Sequence, residues 1–388
     1  MKILMLAPEP FFQPRGTPLS EYFRIKALSD LGYSIDLVTY HLGENVKIKN
    51  LKIYRIPSIP FIKEIKVGPS YTKIFLDFFL FLKTLERLVK GKYSLIFSHE
   101  EAAFFGVILA KIWRVPHLYD MHSSLPQQLE NFQFSRSKIL KKIFLWLEKF
   151  VLKNSERVIV ICKDLLDTAR RIIPENKIFL IENFLTLEEK KYSKDDILKK
   201  KKELGINGKK VILYAGTFES YQGLPLLLKA FKRLKGDVLL LLLGGKPRQI
   251  EELKNLASEL GLLSKIIFMG QISPFEMPIY LSLADVLVSP RLRGTNTPLK
   301  IYTYLKTGKP IVATKLPTHL QVLNQEISIL VESEPESFAE GIKFALYDPK
   351  AKEIALNAKK FAEREYTYHN YIMKVKNSMN FLENKKEK

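Results

Sequence analysis

Short apolar runs alternate along the chain with longer stretches whose apolar residues fall three and four apart. In the first half the runs are Ile3 to Leu6, Ile35 to Thr39, Leu95 to Phe97, His117 to Tyr119 and Val158 to Ile161. Strands separated by helical stretches are the mark of βαβ units, and hence of a parallel sheet flanked by helices. A lysine-rich stretch from Lys190 to Lys202 interrupts the pattern. It restarts with Val211 to Tyr214, Val238 to Leu243, Ile266 to Met269, Val286 to Ser289, Ile311 to Ala313 and Ile327 to Val331. Unbroken apolar runs such as Val238 to Leu243 suit strands covered on both faces, because parallel sheets have no wet side.

The expected fold is therefore α/β, with two Rossmann-like doubly wound domains over residues 1–185 and 186–366. In the tail, residues 367–388, apolar Tyr368, Tyr371, Ile372, Val375, Met379 and Leu382 keep helical spacing. They predict a last helix that packs back on the first domain. A length of 388 residues agrees with two cores rather than one.

Composition narrows the class. Hydrophobic residues make up 46% and charged residues 27%, the balance of a folded globular chain. The lone Cys162 is a small buried hydrophobe or a free thiol, so neither a disulfide frame nor a cysteine metal site is expected. Met1 to Leu6 is too short for the apolar region of a signal peptide and reads as a first strand. Ile74 to Leu82 is the most apolar stretch, but it carries Asp77 and falls far short of the ~20 residues that span a bilayer. A cytoplasmic location is the expectation. Net charge is +21, so the surface field attracts polyanions, with nucleotide phosphates, anionic lipid and nucleic acid as candidates. A lysine-rich surface with no specific polyanion is the plainer alternative. No zinc-finger spacing or aromatic RNA-binding signature is present, and no nucleic-acid partner is expected.

In doubly wound folds ligands bind beyond the carboxyl ends of the strands, so the loops there carry the candidate chemistry. After the first strand, Ala7 to Pro18 ends in Arg15-Gly16, with Thr17 expected as N-cap and Pro18 as first helical residue. Gly16 either lets the backbone approach an anion or only makes the turn. Two adjacent strand ends carry Ser98-His99-Glu100-Glu101 and Asp120-Met121-His122-Ser123. Titratable residues concentrated there point to a site. His122 is the favoured active-site histidine and His99 the second, with no metal expected, since the His-x-x-x-His spacing of a helical zinc site is lacking.

In the second half, Gly216-Thr217-Phe218-Glu219 leads through Gln222-Gly223 into a helix, and another strand empties into Gly244-Gly245-Lys246. Each is a backbone-lined phosphate pocket or simply a turn. Ser289 to Ala313 is richer: Thr297 is expected to cap a helix beginning at Pro298, with Arg291, Arg293 and Lys300 around its N-terminus. Together they can hold a diphosphate.

The chain resembles the retaining glycosyltransferases of the GT-B fold, the family 4 or group 1 class. The likeness is carried by Arg15-Gly16-Thr17, Tyr119 to His122, Tyr214 to Gly223, and Gly308-Lys309-Pro310-Ile311-Val312-Ala313. It implies two domains facing each other across a cleft, with a nucleotide diphosphate sugar as donor substrate and neither metal nor cofactor. It also implies transfer with retention, His122 beside the transferring sugar, Gly16 near the diphosphate, and Asn296, Thr297, Pro298 and Leu299 against sugar and phosphates. Gly216, Thr217, Gln222, Gly245 and Lys246 join the donor side, and Arg15, His99, Glu100, Asp120 and Ser123 the acceptor side. Lys300 and Arg291 are set beside His122 as candidate catalytic residues.

Two departures mark this sequence. The family's paired glutamates fall at Thr295 and Thr303, and the arginine and lysine of its glycine loop fall at Thr217 or Phe218 and at Gln222. The missing cations are then expected from Arg291, Arg293 or Lys300, and Glu219 is a replacement acidic contact. A nucleotide-sugar epimerase and a catalytically silent binding protein of the same fold are the competing readings. Arg136 to Lys153 sets Ile139, Ile143, Trp146, Leu147 and Phe150 at helical spacing among lysines. It is either a core-facing helix or a basic amphipathic one attaching to the inner face of an anionic membrane, with a lipid-linked or cell-envelope glycan as acceptor.

Overall fold

The computed structural model describes residues 1–13, 16–65, 70–124, 126, 137–184 and 192–382. Arg15, Arg136 and the start of the lysine-rich stretch lie outside them. The chain divides into two compact units, Met1–Phe184 with Tyr368–Lys388, and Leu185–Thr367.

The first unit holds parallel strands β1 (Lys2–Ala7), β2 (Ser34–Thr39), β3 (Leu51–Arg55), β4 (Leu95–His99), β5 (His117–Met121), β6 (Arg157–Val160) and β7 (Ile178–Leu180). Their order is β3-β2-β1-β4-β5-β6-β7, so the winding reverses between β1 and β4. Met5 pairs with Leu37 on one side and Phe97 on the other. β3 escapes the sequence pattern because it is an edge strand, Leu-Lys-Ile-Tyr-Arg, with no buried residue. β7 is only three residues long.

Helix α1 (Gly16–Asp30) already includes Gly16, so Thr17 is inside the helix rather than capping it. It buries Ser20, Glu21 and Arg24 as well as Leu19, Phe23 and Ala27. Helix α2 (Tyr71–Lys90) is capped by Ser70, whose hydroxyl accepts the Lys73 N–H at 3.3 Å. It buries only Leu76, Leu80, Thr84 and Leu88, a single stripe of four-residue spacing. Helices α3 (Ala103–Ile112), α4 (Lys138–Asn154) and α5 (Lys163–Arg170) follow, and Cys162 is buried just ahead of α5.

Later in the chain, α14 (Tyr368–Met379) returns to this unit. The Tyr371 ring stacks on Phe184 at 5.2 Å, and Lys374 pairs with Glu182 at 3.1 Å.

The second unit holds β8 (Lys210–Ala215), β9 (Val238–Leu243), β10 (Ile266–Gly270), β11 (Val286–Ser289), β12 (Ile311–Thr314) and β13 (Ile329–Val331). They are parallel in the order β10-β9-β8-β11-β12-β13, with the reversal between β8 and β11. All six residues of β9 are buried, as an unbroken apolar run requires. The helices are α6 (Lys194–Glu203), α7 (Leu224–Phe231), α8 (Pro247–Glu259), α9 (Met277–Leu283), α10 (Leu299–Lys306), α11 (Pro317–Leu320), α12 (Pro335–Tyr347) and α13 (Lys350–Glu365).

The expected start of α10 shifts. Pro298 is extended, with ψ of 130°, and stands as the cap itself, so Thr297 caps nothing. The last strand is also shorter than its apolar run, beginning at Ile329 rather than Ile327.

Candidate active site

Each reversal of winding order gathers the ends of two neighbouring strands, and each unit carries polar side chains there. In the first unit β4 and β5 are adjacent in register, His99 opposite Asp120. This adjacency builds a buried cluster. The Nε of Arg24 donates to Asp120 Oδ2 at 2.9 Å, and His122 Nε2 lies 3.3 Å from Asp120 Oδ1. His99 Nδ1 lies 3.3 Å from His122 Nε2 and 3.4 Å from Glu21 Oε1. Ser123 donates to Glu100 Oε2 at 2.6 Å. Glu100 holds a φ of 44°, a left-handed conformation that a side chain adopts only when its surroundings impose it.

Burial and charge set the protonation states. Burial alone would raise the pKa of Asp120, but Arg24, His122 and His99 outweigh it and hold the carboxylate ionised. Burial likewise opposes protonation of His122, yet Asp120 and then Glu100 raise its pKa above 6.5. His99 goes the other way: burial lowers it to about 3, and it is neutral. Burial pushes Glu100 up to about 7 against the pull of His122. Burial, and then Glu9, raise Glu21 well above the ordinary carboxylate range.

Helical spacing did not foresee that His99, Asp120 and His122 would offer ligand atoms within 4.8 Å of one another. Within this group the Arg24 guanidinium already pairs with Asp120. Glu21 and Arg24 went unrecognised in the sequence, being polar positions of an apparently amphipathic helix. The only signal was that they flank the apolar face of α1. Arg15 lies outside the described residues. Gly16, at the first turn of α1, leaves open space around its Cα, since nothing lies within 4 Å of an added Cβ.

In the second unit the reversal brings the β8 loop against the segment after β11. Lys300 Nζ sits 3.7 Å from the centroid of the Tyr214 ring and 3.4 Å from Gln222 Oε1. A Cβ on Gly216 would meet that ammonium at 2.8 Å, so only glycine leaves the room. Arg291 is folded back, its Nε donating to Arg293 O at 2.8 Å and its Nη1 to Asn296 O at 3.1 Å, with the guanidinium 5.2 Å from the Tyr221 ring. Gly294 has a φ of 135°, which side chains rarely adopt, and a Cβ there would displace the Arg291 guanidinium, 2.2 Å away.

Among the described residues neither cation has a carboxylate partner. Burial, and then Arg291, push Lys300 well below its ordinary pKa. Burial also lowers Arg291. Two partly buried cations with no counter-ion among the described residues are suited to receive an anion.

The remaining expected residues divide. Glu219 accepts from Gln249 Nε2 at 3.0 Å, and Gln249 also accepts the Lys246 N–H at 3.0 Å, tying the β8 loop to the start of α8. Thr217 O accepts from the Tyr214 hydroxyl at 2.7 Å. Gly245 is explained by packing, since a Cβ would lie 2.4 Å from the Phe218 ring. Thr295 Oγ1 is 3.3 Å from Asn296 Oδ1. Leu299 opens α10, on which Thr303 sits between buried Tyr302 and Tyr304. Arg293 is exposed, unlike Arg291 and Lys300.

The two doubly wound units have the GT-B architecture. The chain belongs to the group 1/family 4 glycosyltransferases: the model "Glycosyl transferases group 1" matches residues 196–361, and the model "Glycosyltransferase Family 4" matches residues 24–189. It is a glycosyltransferase. An uncharacterized glycosyltransferase of Methanocaldococcus jannaschii is 25% identical over 365 residues, 89% of each chain. The alpha-monoglucosyldiacylglycerol synthase of Streptococcus pneumoniae is 24% identical, over 81% of this chain and 71% of its own. Among solved structures, sucrose-phosphate synthase from Thermosynechococcus elongatus superposes with a TM-score of 0.80 at 19% identity, covering 99% of both chains. Anabaena HepE in complex with UDP and glucose gives 0.79 at 18% identity, covering 98% of this chain and 99% of its own.

Proposed function

We propose that the protein transfers a sugar from a nucleotide diphosphate donor to a lipid-linked or cell-envelope glycan, with retention and without a metal ion. The observation that carries this reading is the Arg291 and Lys300 pair, two cations without a carboxylate at the switch point of the second unit. A departing nucleoside diphosphate develops negative charge on its phosphate, and fixed cations in a partly desolvated pocket stabilise that charge as it forms. Lys300, beside Gln222, supplies the charge that the glycine loop of this chain lacks. The complex of HepE with UDP and glucose supports a nucleotide sugar as the donor class.

On the first unit His122 is the group placed against the transferring sugar. His99, with no exposed surface, orients it, Asp120 holds its proton, and Glu100 with Ser123 lines the acceptor side. A thermal-shift panel of UDP-, GDP-, ADP- and CMP-sugars in the presence of a chelator tests the donor. One nucleoside diphosphate sugar should stabilise the protein, and CMP-sugars, with a single phosphate, should do so least.

Peripheral membrane attachment belongs to the same proposal. No described helix is long and apolar enough to cross a membrane. Helix α4 packs on the core through Val151 and Leu152 near its C-terminal end, with Glu148 its other buried residue. Ile139 is 72% exposed and Trp146 63%, among exposed Lys138, Lys141, Lys142 and Lys149. Apolar side chains set among lysines suit an anionic lipid surface. The Streptococcus pneumoniae relative, an alpha-monoglucosyldiacylglycerol synthase, supports a lipid acceptor. Sedimentation with phosphatidylglycerol vesicles at low salt should fall at least fivefold in a Trp146→Glu, Ile143→Glu variant, by roughly the cost of losing two buried apolar anchors. Unchanged sedimentation would remove α4 from the attachment surface.

A further inference from the structure

The segment between β11 and α10 is fastened through its carbonyl groups. Thr314 Oγ1 donates to Arg291 O at 2.6 Å, Thr318 Oγ1 to Asn296 O at 2.6 Å, and Gln321 Nε2 to Thr295 O at 2.6 Å. His319 Nδ1 donates to Thr314 O at 2.7 Å, which leaves Nε2 to accept the Ser289 hydroxyl at 2.9 Å. Burial lowers His319 to about 4, so this neutral tautomer persists at neutral pH. Arg291 Nε takes Arg293 O itself.

The donors of the same segment are treated differently. Among the described residues no acceptor serves the backbone N–H groups of Arg293, Gly294 and Thr295. The Oγ1 of Thr297, a residue only 5% exposed, has no hydrogen-bond partner either. Buried donors are normally satisfied, and the unsatisfied Thr297 hydroxyl, next to accessible N–H groups and two cations, suits an anionic or oxygen-rich ligand.

We infer that Thr314, Thr318 and Gln321, with His319 tying Thr314 O to Ser289, are positioning residues of the donor site: they hold the segment by the carbonyls of Arg291, Asn296 and Thr295, and its N–H groups and the Thr297 hydroxyl are left for the phosphate oxygens and sugar hydroxyls of the donor. The inference rests on the reading of residues 291–300 as the donor-binding segment. It also gives a role to Thr318-His319, which no catalytic motif in the sequence singled out. The brace comes from the end of β12 and from α11 with the residue after it, so the donor segment is held by the strand that pairs with β11 as well as by the bonds of its own Arg291.

The test compares wild-type protein with a Thr318→Val, Gln321→Leu double variant and with Thr318→Ser. UDP-glucose, GDP-mannose and ADP-glucose are the probes, and the one bound most tightly by wild type is used throughout. The double variant should raise KM for that donor roughly tenfold, the scale of a misplaced binding group, with a smaller change in kcat. Thr318→Ser, which keeps the hydroxyl, should match wild type. Gln321→Glu, at a partly exposed position, removes the amide donor without touching the core and should also raise KM even if the double variant fails to fold. Wild-type KM in Gln321→Glu or in a folded double variant would overturn the inference. A wild-type protein that binds none of the three donors would overturn the donor-site reading instead.

Discussion

Replacing Lys300 with methionine is expected to lower kcat/KM for the nucleotide sugar by about 10²- to 10³-fold, the range found when one preorganised charge-stabilising donor is removed. The folded protein should not suffer. Lys300 is held in its pocket against its own pKa, by burial and by Arg291. A lysine whose folded pKa is depressed destabilises the native state while it is charged in the unfolded chain, and that penalty fades as pH rises through the unfolded value of about 10.4. At pH 7.5 the variant should therefore melt at the same temperature as wild type or higher. Above pH 10 the difference should shrink. Activity loss joined to unchanged or increased stability is the signature of a residue kept for its ligand, and a large drop in Tm would assign Lys300 to structure instead. Arginine should not substitute, because the pocket formed by Gly216, Tyr214 and Gln222 is shaped around a compact ammonium.

Changing His122 to alanine should cost about 10²-fold in kcat, the effect of losing one polar contact to the reacting sugar. Its pH dependence is more diagnostic. The groups around His122 are Asp120, Glu100, His99, Arg24, Ser123 and Glu21. Asp120 and Glu100 prevail, so the folded pKa lies above 6.5. A histidine raised on folding contributes stability that is fully present below its unfolded pKa and is lost as pH rises through the folded one. Asp120, held low, contributes stability present above the ordinary carboxylate pKa and lost in acid. The difference in Tm between wild type and His122→Ala should consequently be largest near pH 5.5 and smaller at pH 9. Equal differences at both would mean that folding does not raise the His122 pKa, and a larger difference at pH 9 that folding lowers it.

Much of this was legible in the sequence, for definite reasons. Buried parallel strands must be continuously apolar, so runs such as Val238 to Leu243 announced the sheets, and the loops after them marked where a candidate site should be sought. His122, Arg291 and Lys300 stood out because charged residues at strand ends and helix starts have little structural reason to be there.

What stayed hidden depends on contacts between distant segments. Glu21 and Arg24 sit among the apolar positions of α1 and acquire meaning only when β5 brings Asp120 to them. Thr318 and Gln321 reach back more than twenty residues to carbonyl groups, which no spacing rule encodes. The cap of α10 was misplaced by one residue because Pro298, extended, serves as the cap itself, freeing Thr297 for another role. That α4 seats only its C-terminal end on the core was also hidden, because a core-facing and a surface-lying helix share one periodicity.

The most direct test of the Arg291 and Lys300 site is calorimetric titration of wild-type protein and an Arg291→Met, Lys300→Met variant with UDP, GDP and ADP, each against its monophosphate, in EDTA. A metal-independent diphosphate site predicts that one diphosphate binds wild type at least tenfold more tightly than its monophosphate, and that this preference disappears in the variant. Equal affinity for mono- and diphosphate in wild type, or a preference that survives loss of both cations, would contradict it.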